Sequence, residues 1–198
     1  MAEPGTQVPR ARIEALTDGV FGFALTLLVT TLVFPYDFRP TSNQDLIDAL
    51  LDLDGSVLAY IISFFVIGLR WMGQAREKAD PEIGTGIYLW AVLVHLMFIA
   101  VLPFSTMLIG RWGDFPAAVW VYSANMALSA VAAIGVSATA ERLTGKRPAE
   151  TGRFGLLVLM ATAVLSIIIS LWSTRWAMAA YAGNLLTPFL QRWAGRLL

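Results

Sequence analysis

Long apolar runs separated by short polar stretches organise this chain. Six of them are long enough to cross a bilayer as helices, at about 12–35, 56–78, 84–109, 116–141, 154–173 and 176–196. About 20 apolar residues in helical form span the hydrocarbon core. Proline and polar clusters punctuate the runs: Pro35-Tyr36-Asp37 after the first, Ala79-Asp80-Pro81 after the second, Ser173-Thr174-Arg175 after the fifth. Pro116, just past the turn Arg111-Trp112-Gly113-Asp114, suits the first position of a helix. Pro103 should kink the third run where neighbouring groups satisfy the freed carbonyl. The fourth is rich in Ala and Ser, the composition of closely approaching membrane helices. The sixth is the weakest, interrupted by Asn184 and Pro188. Residues 1–9 read as a mobile tail, and 36–55 as a loop carrying Asp37, Asp45, Asp48, Asp52 and Asp54 against Arg39.

The first run differs from a plain anchor because it carries Arg12, Glu14 and Asp18 on its opening turns and Thr26 and Thr30 inside. An ionisable group at the centre of a spanning helix costs roughly 2.5 to 3.5 kcal/mol on insertion scales. Nearer the end the cost falls, but partners are still required. At about 100° per residue, Arg12 and Asp18 point to different sides and cannot pair. Glu14 and Asp18 share a face as like charges one turn apart. A cation or hydrogen-bond donor from another helix is therefore expected at that end. Gly19, Phe23, Thr26, Thr30 and Val33 follow helical spacing along one face, opposite the uniformly apolar Phe21, Leu25, Leu28 and Leu32. The hydroxyls either bond carbonyls of their own helix or line a pore.

Composition fixes the class. The chain has 198 residues, of which 57% are hydrophobic and only 14% charged, against about 25% charged in soluble domains. An all-α integral membrane protein follows. Cysteine is absent from the sequence, which excludes disulfides and thiolate chemistry. Zero net charge gives no reason to expect nucleic acid. The first run is too long for a signal-peptide core, so it is expected to remain attached. Lys and Arg set the orientation: eleven of the 14 lie at the N-terminal end, the second and fourth loops and the C-terminus. Arg39, Arg111 and Arg175 occupy the other three loops. The basic side is the cytoplasmic one, so both termini are expected inside.

The stretch Arg12-x-x-x-Leu16-Thr17-Asp18-Gly-Val-Phe resembles the Arg-x-x-x-Phe-Ser-Asp signature that opens the first helix of the transmembrane protein 175 potassium channels. Ala24-Leu-Thr26-Leu-Leu-Val, Leu58-Ala-Tyr60 through Gly68 with Trp71, and Leu102-Pro103-Phe104-Ser105 extend the resemblance over roughly the first 110 residues. It implies a bacterial plasma-membrane protein with six helices per chain. It further implies a homotetramer whose first helices line one pore, with K⁺ as the permeant ion and no cofactor. The family's narrow constriction lies three residues before a threonine, which maps onto Phe23 and Thr26, and later pore positions map onto Leu27 and Thr30. The sequence departs from the family in Leu16 and Thr17 for Phe and Ser, and in Phe23 where Ile or Leu is usual. Gly73, Gln74 and Ala75 follow Trp71 in place of polar and histidine residues, and Val92 stands for an asparagine.

Arg70 and Trp71 lie one or two turns from the inner end of the second helix, at the depth of Asp18 on the first. Either is a candidate partner for Asp18, while Arg70 has the alternative of snorkelling to the interface. No Thr-Val-Gly-Tyr-Gly filter occurs, so selectivity falls to a ring of Phe23 with Thr26 hydroxyls one turn away. The outer aspartates either concentrate cations or are merely solvated. His95, mid-membrane on the third helix, is either a packed, hydrogen-bonded residue or a proton sensor. No metal-ligand spacing or nucleophile–base pair is visible, which argues against an enzyme. A secondary transporter for a small cation or proton is the alternative function, although residues 1–110 and 111–198 show no repeat. A non-conducting membrane scaffold is the third.

Overall fold

The computed structural model describes residues 7–75, 81–84, 86–146 and 150–184. The first helix, α1, spans Arg10–Leu27 and tightens into a 3-10 turn over Leu28–Thr31. A short helix α2 (Asn43–Leu51) precedes α3 (Asp54–Ala75), α4 (Gly86–Trp112), α5 (Pro116–Thr144) and α6 (Glu150–Ser170). Among the described residues five helical segments are long and apolar enough to cross a membrane. The chain is a multi-pass membrane protein.

Several sequence boundaries shift. The first run does not stay helical to residue 35, because Leu32–Phe34 leave the helix. Val29, Thr30 and Thr31 are β-branched and lose rotamer freedom in a helix. Thr30 and Thr31 instead send their hydroxyls to the carbonyls three residues back, at 2.7 and 2.8 Å. The residue before Pro35 is also pushed away from helical geometry. The acidic loop contains α2, whose N-cap Ser42 accepts from the Asp45 N–H at 3.1 Å. Val8–Pro9 pairs antiparallel with Ile83–Gly84, so the end of the expected tail is tied down as a two-residue strand. The sixth run starts as the short α7 (Thr174–Ala177) and a 3-10 turn over Met178–Tyr181. Its remainder, with Pro188, lies outside the described residues, as do Arg76, Lys78, Arg147, Arg192 and Arg196.

Helix α5 forms the centre of the described core. Val119, Tyr122, Met126, Ala130 and Ala140 are fully buried, as its small-residue composition anticipates. Polar groups join it to its neighbours. The Thr106 hydroxyl donates to Ser63 Oγ at 2.9 Å, and Ser63 shares a 3.0 Å bond with the Tyr122 hydroxyl. Tyr181 donates to Ser123 at 2.9 Å and meets the Tyr122 ring edge-on at 5.1 Å. Asn125 reaches the Phe98 carbonyl at 3.3 Å, five residues before Pro103, around which α4 remains helical. Helices α3 and α4 approach closely at Gly110, where a Cβ would lie 2.9 Å from the Ser56 Cα.

Candidate functional site

Helix α1 has two faces of opposite character. Ile13, Thr17, Phe21, Ala24, Leu28 and Thr31 are buried against the protein. Leu16, Gly19, Phe23, Thr26 and Thr30 are exposed, and Phe23 is 66% accessible. Leu27 is half-buried beside them. The stripe drawn from helical spacing is thus the open face. Val33 is exposed as well, though it lies beyond the helix. A groove of about 520 Å³ runs along this face, lined by Leu16, Gly19, Phe23 and Leu27 with Ala100 of α4.

The threonines satisfy the local reading and keep the other one open. Thr26 donates to the Phe23 carbonyl at 2.8 Å and Thr30 to that of Leu27 at 2.7 Å. A hydroxyl that spends its proton on a carbonyl retains oxygen lone pairs as acceptors. Exposed Thr26 and Thr30 oxygens can therefore offer electron density to a cation while their protons stay within the helix.

On the first turns of α1 the signature residues divide. The Trp71 indole N–H donates to Asp18 Oδ1 at 2.9 Å, which supplies the donor that Asp18 requires from another helix. Arg70 does not fill that role and forms no ion pair among the described residues. Glu14 is met within its own helix by Arg10, at 2.6 Å. Thr17 joins Asp18 and Trp71 around a cavity of about 230 Å³ that also takes in Gln74 and Tyr88. Arg12 is exposed on the helix surface, and Leu16 faces the open groove. Position 74, where the family pattern differs, therefore still borders the Asp18 pocket.

His95 is 1% exposed, with Nδ1 3.1 Å from the Ser129 carbonyl of α5 and its ring 6.0 Å from that of Phe21. That is the environment of the packed, hydrogen-bonded reading. Of the aspartates between residues 37 and 54, Asp45 accepts from Ser42 Oγ at 2.8 Å and from the Thr41 N–H at 3.0 Å. These bonds, led by that from the Thr41 hydroxyl, hold its carboxyl below the usual carboxylate range. Sequence reasoning missed the Ser63–Tyr122–Thr106 connection, because a serine in an apolar run reads equally well as a small packing residue.

Residues 12–103 match the family described as endosomal/lysosomal potassium channel TMEM175. Over 119 residues it is 33% identical to a potassium channel of Chamaesiphon minutus, covering 60% of this chain and 58% of the relative. A potassium channel of a Chryseobacterium species is 28% identical over 123 residues, 62% of this chain and 60% of the other. The chain thus spans about three fifths of the length of these relatives. Its fold resembles the crystal structure of a lysosomal potassium-selective channel TMEM175 homolog from Chamaesiphon minutus, with a TM-score of 0.68 at 24% identity. That alignment covers 90% of this chain and 96% of the other, so the likeness in fold continues past the matched family region.

Proposed function

We propose that the chain is one subunit of a homotetrameric, potassium-selective channel that conducts passively through a pore lined by α1. The supporting observation is the chemistry of the uncovered faces. On α3 the exposed large side chains include Val57, Leu58, Ile61, Phe64 and Phe65, and on α6 they include Leu157, Val164, Leu165 and Ile168. Those surfaces are uniformly apolar, as lipid contact requires. The open face of α1 alternates Phe23 with Thr26 and Thr30, and a lipid-facing helix gains nothing from that row of hydroxyls. One helix per subunit cannot enclose a pore, so rotational symmetry supplies the others. Phe23 forms the constriction, which gates by dewetting, and Thr26 replaces part of the ion's lost hydration. Leu27 and Thr30 continue the wall. K⁺ is the permeant ion, and no cofactor, enzymatic step or nucleic acid takes part.

The basic residues beside α1's first turn and after α5 support a topology with both termini in the cytoplasm of a prokaryotic cell and the acidic α2 segment outside. The absence of native cysteine makes the pore assignment directly testable. Single cysteines at Phe23, Thr26 and Thr30 in reconstituted protein should react with a charged thiol reagent and lose K⁺ flux. Cysteines at the lipid-facing Phe65 and Leu165 should not. Equal protection of all five positions would contradict the proposal.

A further inference from the structure

His95 is a costly residue for its place. It is buried between α1 and α5 at 1% exposure. Its Nδ1 lies 3.1 Å from the Ser129 carbonyl, and a carbonyl only accepts, so Nδ1 carries the proton. Nε2 is then an unprotonated acceptor, and it is buried without a partner among the described residues. A buried acceptor without a donor is destabilising, and such a group in a native core calls for a reason. Phenylalanine would fill similar space without that burden. What histidine adds is one directional bond, which fixes the ring's rotation against α5.

The fixed ring bears on α1. Phe21 is fully buried and lies with its ring centroid 6.0 Å from that of His95, tilted by 50°. Phe21 and Phe23 are two residues apart on a helix, so at about 100° per residue they project to nearly opposite sides. A displacement of α1 away from α4 at Phe21 carries Phe23 the same way, further out from the protein core. Gly19 and Gly22, on either side of Phe21 along the helix, have open space where a Cβ would be, so no side chain of theirs resists that movement.

We infer that His95 is a positioning residue for the constriction: hydrogen-bonded to α5, it sets how far Phe23 stands from the body of the subunit. This rests on the reading of α1 as the pore wall in a symmetric assembly. In that assembly a radial shift of each α1 is doubled across the pore. His95 touches no permeating ion, and its effect passes through Phe21.

The test uses the full-length protein reconstituted in proteoliposomes, with assembly checked by size. His95→Phe keeps a ring of similar volume and removes the bond to Ser129. Phe21→Leu keeps that bond and removes the facing ring. Each should form the same assembly as wild type yet change the K⁺/Na⁺ permeability ratio by about fivefold, the low end of coupling between separate sites. The double variant should change it by no more than the larger single effect. Ile109→Val, a core change at the far end of α4, should leave the ratio unaltered. An unchanged ratio in assembled His95→Phe would overturn the inference, as would additive effects or an equal change in Ile109→Val. If His95→Phe does not assemble, an unchanged ratio in Phe21→Leu overturns it alone. Phe23→Ala measured alongside separates the two levels: altered permeation there with none in His95→Phe rejects only the positioning role. No change in either variant rejects the pore wall as well.

Discussion

The indole N–H of Trp71 and the Asp18 carboxylate meet at 2.9 Å, joining α3 to the first half of α1. Both residues are partly accessible, so the bond should contribute about 1 kcal/mol. Thermal unfolding of Asp18→Asn, Trp71→Phe and the double variant should give a coupling energy of that size. Asp18→Asn combined with Arg70→Gln should be additive, since Arg70 does not reach Asp18. Coupling to Arg70 and none to Trp71 would reverse the assignment.

Gly110 and Gly68 provide a matched pair. A Cβ at Gly110 would come within 2.9 Å of Ser56 Cα, whereas nothing lies within 4 Å of one at Gly68. Gly110→Ala should therefore wedge α3 from α4 and cost about 1–3 kcal/mol. Gly68→Ala should be neutral or slightly stabilising, because alanine favours the helix. Melting temperatures in the same detergent read the difference, and equal shifts would refute the close approach.

Thr26→Val removes the exposed hydroxyl while keeping the shape of the side chain. Since the Thr26 proton already serves the Phe23 carbonyl, the loss should fall on the oxygen available to an ion. The K⁺/Na⁺ permeability ratio should drop with assembly intact. A ratio equal to wild type would remove Thr26 from the selectivity mechanism and leave the constriction alone.

Asp45 gives α2 a defined response to acid. Bonds from Thr41 and Ser42 lower its folded pKa below the ordinary 3.8. A depressed folded pKa means that the stabilisation is present above the unfolded value and is lost as pH falls through the folded one. The start of α2 should thus persist through the ordinary carboxylate range and fray only in stronger acid. Carbon NMR of the Asp45 carboxyl follows this directly, and Asp45→Asn should abolish it. Titration at or above 3.8 would show that the bonds from Thr41 and Ser42 to the carboxylate are not formed.

Much of the site was legible because helical spacing depends only on residue order. Gly19, Phe23, Thr26 and Thr30 were separated from Phe21 and Leu28 by periodicity alone, and burial divides them the same way. The need for a donor at Asp18 followed from the cost of an ionised group near a membrane helix end. The choice between Arg70 and Trp71 did not, since adjacent residues differ by about 100° in direction and only packing fixes which side meets α1. The early end of α1 was hidden because apolar periodicity continues to Val33 while the hydroxyls of Thr30 and Thr31 draw the backbone into a tighter turn. Helix α2 carried a signal in Ser42-x-x-Asp45 before Leu46, Ile47 and Leu50, but the density of aspartates made it read as loop.

Phe23 is the residue proposed to set the constriction, and ion flux from proteoliposomes tests that role. Vesicles loaded with K⁺ or with Na⁺ are compared for wild type and Phe23→Ala, with assembly shown for both. K⁺ flux far above Na⁺ flux in wild type, with both the rate and the ratio altered in Phe23→Ala, is the predicted result. Absence of flux from both assembled proteins, or identical selective flux in the two, would contradict a pore whose constriction is set by Phe23.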